Sequence, residues 1–351
     1  MKIADFDYDL PEDLVAQAPV TPRDASRLMV VPASGPALHR RFADLPELLR
    51  PGDLLVLNDT RVIPARLVGR RATGGRVEIL LCEPLEGGLG RRWRAMGQAS
   101  KPIREGNVLS FDGLEARVER VEGEGFLVVA LDREGADLEA ALARAGRVPL
   151  PPYVRREPTE EDRERYQTIW AAAPGSAAAP TAGLHFTASL LDRISARGVE
   201  RTAVTLHVGP GTFLPVRGES LEEHRLHAER FEVPPETAGA FAAARARGGR
   251  VVAVGTTAVR TLESAFEGGG LRAGAGRTDL FVRPGHRFRA VDLLVTNFHL
   301  PRSTLLVLAC AFAGRERVLA AYREAVRLRY RFYSYGDAML LGRAEPPAAV
   351  V

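Results

Sequence analysis

The tightest constraint on the fold is VVAVGTTAVRTLE at residues 251–263, where an unbroken apolar run passes through Gly255 straight into a segment with helical spacing. An apolar run without alternation reads as a strand buried on both faces. The helix that follows at once carries Val259, Leu262 and Phe266 as its apolar stripe. The same alternation surrounds it. Thr187 is placed to cap a helix carrying Leu190, Leu191 and Ile194 that stops at Gly198. Residues 199–208 read as a strand with Val204, Leu206 and Val208 on one face and Thr205 and His207 on the other. Pro235 opens a helix running to Gly248, VDLLVTNFHLP (291–301) is a strand ending in polar residues, and 303–312 is an apolar, buried helix. Near the start, residues 54–57 form a short apolar strand that ends in NDTRV (58–62). The expected class is α/β, a mixed sheet with flanking helices.

One stretch breaks this pattern. From about residue 64 to 132, short valine- and leucine-rich pieces recur near every ten residues, separated by glycine. Gly74-Gly75 and Asp112-Gly113 are two-residue hairpin signals. Six such strands predict a small antiparallel β-barrel. A helix over 137–145 with Gly146 as its stop follows, and then the proline-stiffened VPLPPYV (148–154) marks a boundary. The expected organisation is a first part of the α/β domain over 1–63, an inserted barrel over 64–148, and the second part over 149–351.

Composition is ordinary for a globular chain of 351 residues, with 26% charged residues and a formal net charge of +4. All but two of the 48 basic residues are arginines, the exceptions being Lys2 and Lys101. Guanidinium forks suit phosphate and stack on bases, although genome composition produces the same bias. Cys82 and Cys310 are far apart with no CxxC, which argues against a disulfide framework or a cysteine zinc site. No cleavable signal opens the chain, and the longest apolar run, 305–313, falls well below the ~20 residues of a membrane span. A cytoplasmic location without membrane contact is expected.

The chemistry concentrates in one window. PTAGLHF (180–186), TLHVGPGTF (205–213) and HRLH (224–227) hold four of the seven histidines. A loop histidine among small residues has room for a ligand, and a pKa near ~6.5 lets it move protons at neutral pH. In the Gly255-Thr256-Thr257 turn, free amides and two hydroxyls sit at a positive helix end, suited to a carboxylate, phosphate or sugar, or else to ordinary capping. Neither GxGxxG nor GxxxxGK[ST] spacing is present. His224 and His227, at i and i+3, invite a metal, but catalytic zinc wants a third protein ligand and no HExxH spacing supplies it. His299 closes a strand, which favours a place near a pocket over a simple turn contact. The segment 315–337 mixes six arginines with Tyr322, Tyr330, Phe332, Tyr333 and Tyr335. Such mixing suits RNA, although Val318, Leu319, Tyr322 and Val326 have core spacing.

Taken together, PTAGLHF, TLHVGPGTF, GTTAVRTLE, TNFHLP, SYGDAM and NDTRVIPARL closely resemble the S-adenosylmethionine:tRNA ribosyltransferase-isomerase family of queuosine biosynthesis. The resemblance runs nearly end to end, with small departures at Ala177, Ala258 and Tyr333. It implies a mixed α/β domain with an inserted barrel. It further implies transfer and isomerisation of the ribosyl part of S-adenosylmethionine onto 7-aminomethyl-7-deazaguanine at the tRNA wobble position. Adenine and methionine would depart, leaving epoxyqueuosine. The partners expected are S-adenosylmethionine and a tRNA anticodon loop, with no further cofactor, no metal and a monomeric chain. The candidate proton-transfer residue is His185, with His207 or His299 assisting. Candidate substrate-binding residues within the motifs are Thr181, Gly183, Gly255, Thr256, Thr257, Asn297, Tyr335 and Arg61, with Arg260 expected at the methionine carboxylate. One of Asp279, Asp292 and Asp337 is expected at the guanine-like edge or the aminomethyl cation. An RNA-binding protein without catalysis and a metallohydrolase built on His224 and His227 are the rival classes.

Overall fold

The computed structural model describes residues 1–209 and 220–344. A nine-stranded mixed sheet runs through the α/β domain. At its centre four parallel strands lie side by side: Glu200–Leu206, Leu54–Asn58, Val251–Val254 and Leu293–Asn297. Ala338–Gly342 pairs antiparallel to the last of these and parallel to Arg27–Val31, so both ends of the chain enter one sheet. Every residue of Val251–Val254 is buried, because successive side chains enter different cores. Leu54, Val56, Val251 and Ala253 pack beneath the helices Pro235–Ala246, Thr256–Ala265, Thr304–Ala313 and Arg315–Arg327. Leu55, Leu57, Val252 and Val254 pack on the opposite face against Ala188–Ala196. Thr187 caps its helix as the sequence places it, accepting from the Leu190 amide at 3.2 Å, and Ser303, expected as the first helical residue, is instead the cap of Thr304–Ala313, accepting from Leu306 at 3.2 Å. The Pro235 helix ends at Ala246, two residues short of Gly248, and the strand expected over 199–208 occupies only Glu200–Leu206.

The glycine-punctuated stretch is a closed antiparallel barrel of six strands: Arg66–Arg71, Arg76–Pro84, Arg92–Ala99, Phe126–Leu131, Leu114–Gly123 and Val108–Phe111 in spatial order. Arg70 and Arg71 pair with Ser110 and Leu109, which closes the ring. The barrel has its own apolar core, running from Ile63 to Leu142 and including Trp93 and the Gly135–Ala145 helix. A salt cluster ties it to the α/β domain: Glu83 meets Arg277 at 2.7 Å and Arg230 at 3.4 Å. Arg61 pairs with Glu139 on the barrel's helix.

Closure depends on Gly69. A Cβ there would lie 2.2 Å from the Ser110 carbonyl oxygen and 2.5 Å from the Phe111 ring, distances no side chain can tolerate. Gly69→Ala must therefore open or shift the seam. The expected loss is about 1–3 kcal/mol, the usual range for overpacking, read from the denaturation midpoint. An unchanged midpoint would show that the two strands do not close there.

Candidate functional site

The central strands are parallel, so their carboxyl ends reach the same edge of the sheet, where open α/β sheets place their ligands. Asn58, Gly255 with Thr256, and Asn297 arrive there from three adjacent strands. Gly255 takes φ +91°, a conformation that favours glycine, and its carbonyl accepts the Val259 amide. The helix Thr256–Ala265 thus starts at the sheet edge, and its first-turn amides have no intrahelical acceptor. A cleft of about 740 Å³ opens over this edge. Its floor is Gly255, Thr256, Thr257 and Asn297, and Thr181 and His299 stand on its walls.

Asn58 binds the floor together. It is 1% exposed. Its Oδ1 accepts from the Leu206 and Thr60 amides, each at 3.1 Å. Its Nδ2 donates to the Leu206 carbonyl and to Thr257 Oγ1, each at 3.1 Å.

The three candidate histidines occupy different settings. His299 borders the cleft, with Nε2 2.7 Å from Thr296 Oγ1 and its amide donating to the Tyr322 hydroxyl at 2.9 Å. Burial pushes its pKa down to about 3, so it is neutral. His185 sits behind the floor: Nδ1 is 2.7 Å from Ser26 Oγ, Nε2 is 3.1 Å from Asn297 Nδ2, and the ring stacks on Phe42. Burial, with Arg331 and Arg23 adding to it, lowers its pKa to about 3. His207 bonds Thr60 Oγ1 at 2.8 Å and lines a second cleft between the barrel and the α/β domain. Burial lowers its pKa, and nearby Asp59 partly opposes the shift. The two clefts adjoin: Leu305 borders both, and Val208 faces one while His207 and Gly209 face the other.

Several expected residues lie elsewhere. The Arg260 guanidinium is paired with Glu229 and donates to the carbonyls of Leu280 and Thr278, and it borders the second cleft. Asp292 starts a parallel strand and so lies at the opposite edge of the sheet, held by Arg245 at 2.5 Å and by the Val251 amide at 2.9 Å. Asp337 clamps Arg27 and the Arg331 amide. Asp279 is exposed, one residue before Leu280 of the second cleft. Tyr335 donates to Asp162 at 2.7 Å, away from the cleft surface, and Arg61 is in its ion pair with Glu139. Gly183 lies under Thr168 and Trp170, where a Cβ would come within 2.7 Å and 2.8 Å of them. His224 and His227 face Phe281 and Phe126 edge-on. Among the described residues no three His, Cys, Asp or Glu side chains converge as metal ligands. The part of TLHVGPGTF beyond Gly209 lies outside the described residues.

The cleft also gains Tyr153 and Tyr166, which the sequence did not single out, and Tyr333, which it placed only in the arginine–aromatic segment and among the family departures. Tyr153 and Tyr333 meet at 4.6 Å between ring centroids, and Tyr153 bonds Ser334 at 2.6 Å. Tyr333 holds φ +71°, and a non-glycine residue kept there at a cleft wall points to function. Tyr166 is buried at the wall, its hydroxyl pKa raised by burial.

A sequence profile described as queuosine biosynthesis protein matches residues 3–341. The chain belongs to that family. A relative in Anaeromyxobacter sp. (strain Fw109-5), named S-adenosylmethionine:tRNA ribosyltransferase-isomerase, is 77% identical over 98% of this chain and 100% of its own length. One of the same name in Pelobacter propionicus is 54% identical over 97% of this chain and 100% of its own. Among solved structures, the S-adenosylmethionine tRNA ribosyltransferase of Thermotoga maritima is similar, with 40% identity and a TM-score of 0.55 over 96% of this chain and 99% of that one. The queuosine biosynthesis family thus covers both the sheet and the inserted barrel of this chain.

The buried histidines predict a pH response. The folded pKa of His185 lies below the ~6.5 of an unfolded histidine, so the unfolded chain takes the proton first as the pH falls. Its contribution is complete above about pH 6.5 and is lost progressively towards pH 3. In His185→Gln the slope of unfolding free energy between about pH 6 and 4 should shrink by about 1.4 kcal/mol per pH unit. Equal slopes in denaturant titrations of the two proteins would mean that His185 is not held neutral.

Proposed function

We propose that this protein transfers and isomerises the ribosyl moiety of S-adenosylmethionine onto 7-aminomethyl-7-deazaguanine at the wobble position of tRNA. The product is epoxyqueuosine-tRNA, and adenine and methionine are released. The observation that carries this reading is the end-to-end identity of 77% with a relative of that name, joined to a cleft at the carboxyl edge of a parallel sheet whose floor carries Thr256, Thr257 and Asn297.

The sulfonium of S-adenosylmethionine acidifies the adjacent 5′ carbon, so a base must remove a proton there. Adenine leaves poorly as an anion and needs a proton, and the nucleobase amine must attack in its free form. Neutral imidazoles at the clefts can take up the first of these protons, and the protonated ring so formed can pass it to the departing adenine. The methionine carboxylate is assigned to the first-turn amides of Thr256–Ala265, where backbone N–H groups and the helix dipole favour an anion. His299 borders this cleft and His207 the adjoining one, so neutral proton acceptors face the two spaces from either side of Leu305. Tyr153 and Tyr333 offer ring surface to a planar base. No further cofactor takes part in the reading, and the chain acts as a monomer in the cytoplasm, where its RNA substrate is. No helix among the described residues is long and apolar enough to cross a membrane.

The wobble base is single-stranded in its loop and can be splayed into a pocket at modest cost. Phosphate attraction is assigned to the arginine-rich C-terminal segment, where Arg327 and Arg329 are 70% and 68% exposed, Arg327 at 3.6 Å from Glu324 and Arg329 hydrogen-bonded to Asp13. Arg331 is less available, with one guanidinium nitrogen bonded to the Ala18 carbonyl.

Incubation with S-adenosylmethionine and tRNA carrying 7-aminomethyl-7-deazaguanine should release one adenine per modified tRNA, and neither substrate alone should do so. An RNA-binding protein without catalysis would bind the tRNA and release none.

A further inference from the structure

Asn297 closes the strand Leu293–Asn297 at the cleft floor and is 2% exposed. Its Nδ2 lies 3.0 Å from the Tyr333 carbonyl oxygen and 3.1 Å from His185 Nε2. A carbonyl only accepts, so the amide has one possible orientation: nitrogen towards Tyr333 and His185. His185 Nε2 must then accept, Nδ1 carries the proton, and that proton is donated to Ser26 Oγ at 2.7 Å. Stacking on Phe42 fixes the plane of the ring. Thus both donors of the Asn297 amide are engaged and its nitrogen is locked in place. The remaining atom, Oδ1, is buried with no hydrogen-bond partner in the protein. Buried acceptors are rarely left so, because an unmet one has lost its water without gaining a partner.

The position of Oδ1 indicates what it accepts. Val254 pairs with Val295 and the Gly255 amide donates to the Val295 carbonyl at 2.8 Å. Asn297 is two residues further on, beside the start of the Thr256–Ala265 helix. The floor therefore sets an unpaired acceptor next to unpaired amide donors, the pattern complementary to an α-amino acid: carboxylate on the amides, ammonium on the carboxamide oxygen. We propose that Asn297 Oδ1 is the acceptor for the α-ammonium group of the methionine moiety of S-adenosylmethionine, and that His185 is a positioning residue that holds the Asn297 amide in the accepting orientation. The assignment rests on the functional reading above and adds to it the contact that selects an intact amino-acid end. It also moves His185 from proton transfer to support, since both of its ring nitrogens face protein atoms.

The test compares two ligands by calorimetry: S-adenosylmethionine and 5′-methylthioadenosine, which keeps the adenine but lacks the amino-acid end. Asn297→Ala should weaken S-adenosylmethionine by about ten- to a hundredfold, the worth of one charge-assisted hydrogen bond, and leave 5′-methylthioadenosine unchanged. Equal weakening of both would place Oδ1 on the adenine amine and overturn the assignment, and unchanged affinity for both would remove Oδ1 from substrate binding. Should Asn297→Ala fail to fold, His185→Phe carries the test. It keeps the stacked ring and removes the Nε2 acceptor, so it should raise KM for S-adenosylmethionine more than it lowers kcat. His185→Gln, whose amide oxygen can accept from Asn297, should restore part of the loss. A fall in kcat alone, without rescue, would make His185 a proton-transfer group instead. Binding of S-adenosylmethionine by the unaltered protein is the control: its absence would defeat the functional reading itself, whereas binding that survives Asn297→Ala defeats only this contact.

Discussion

The site depends on one buried amide. Asn58 ends a central strand, and its four hydrogen bonds reach the neighbouring strand at Leu206, its own chain at Thr60, and the start of the next helix at Thr257. These groups need partners because no water reaches them, and a buried unpaired amide would cost about as much as a whole interaction contributes. Satisfied in full, the network fixes the spacing of two strand ends and one helix start. The cleft floor takes its shape from that spacing: the helix amides, Asn297 and the wall at His299 are all placed relative to it. Strand pairing alone sets direction and register, but it does not fix how the chain leaves each strand.

The barrel shapes the second space. Its core is separate from those of the sheet, so it meets the α/β domain through polar ties such as the Glu83 cluster and Arg61 with Glu139. Between these ties lies the second cleft, where Phe126 and Arg94 from the barrel face His207 and Arg230 from the sheet. Two adjoining clefts with Leu305 on both walls suit a reaction that joins two large substrates. The barrel thus acts on the site by walling it, while the sheet carries the donor and acceptor groups of the floor.

Much of this was legible in the sequence, for local reasons. Apolar runs marked the strands at 54–57 and 251–254, alternation marked the one ending at Leu206, Thr187 announced its helix, and glycine-punctuated alternation marked the six barrel strands. The polar residues closing apolar runs, Gly255 to Thr257, Asn297 and His299, do meet at one edge, because carboxyl ends of parallel strands must. What the sequence could not rank were residues whose setting is made by distant partners. His185 and His299 are both turn histidines within family motifs, yet only His299 borders the cleft, a difference made by Ser26, Phe42 and Asn297 around His185. Arg260 follows the helix start as a carboxylate ligand would, but Glu229 on a neighbouring strand claims its guanidinium. Tyr153 came from a segment read only as a connector, Tyr166 carried no motif, and Ser334 opens SYGDAM without having been given a role of its own. Asp292 had a usable signal: a residue that begins a parallel strand lies at the edge away from the ligand.

The central claim is that the strand-end cleft, not the space beside the barrel, receives S-adenosylmethionine. A crystal structure of the complex with S-adenosylmethionine tests it most directly. The account predicts the methionine carboxylate against the amides of Thr256 and Thr257, with the α-ammonium group within hydrogen-bond distance of Asn297 Oδ1. A ligand lodged instead among Phe126, Arg94 and His207, with the floor at Asn297 unfilled, would contradict it.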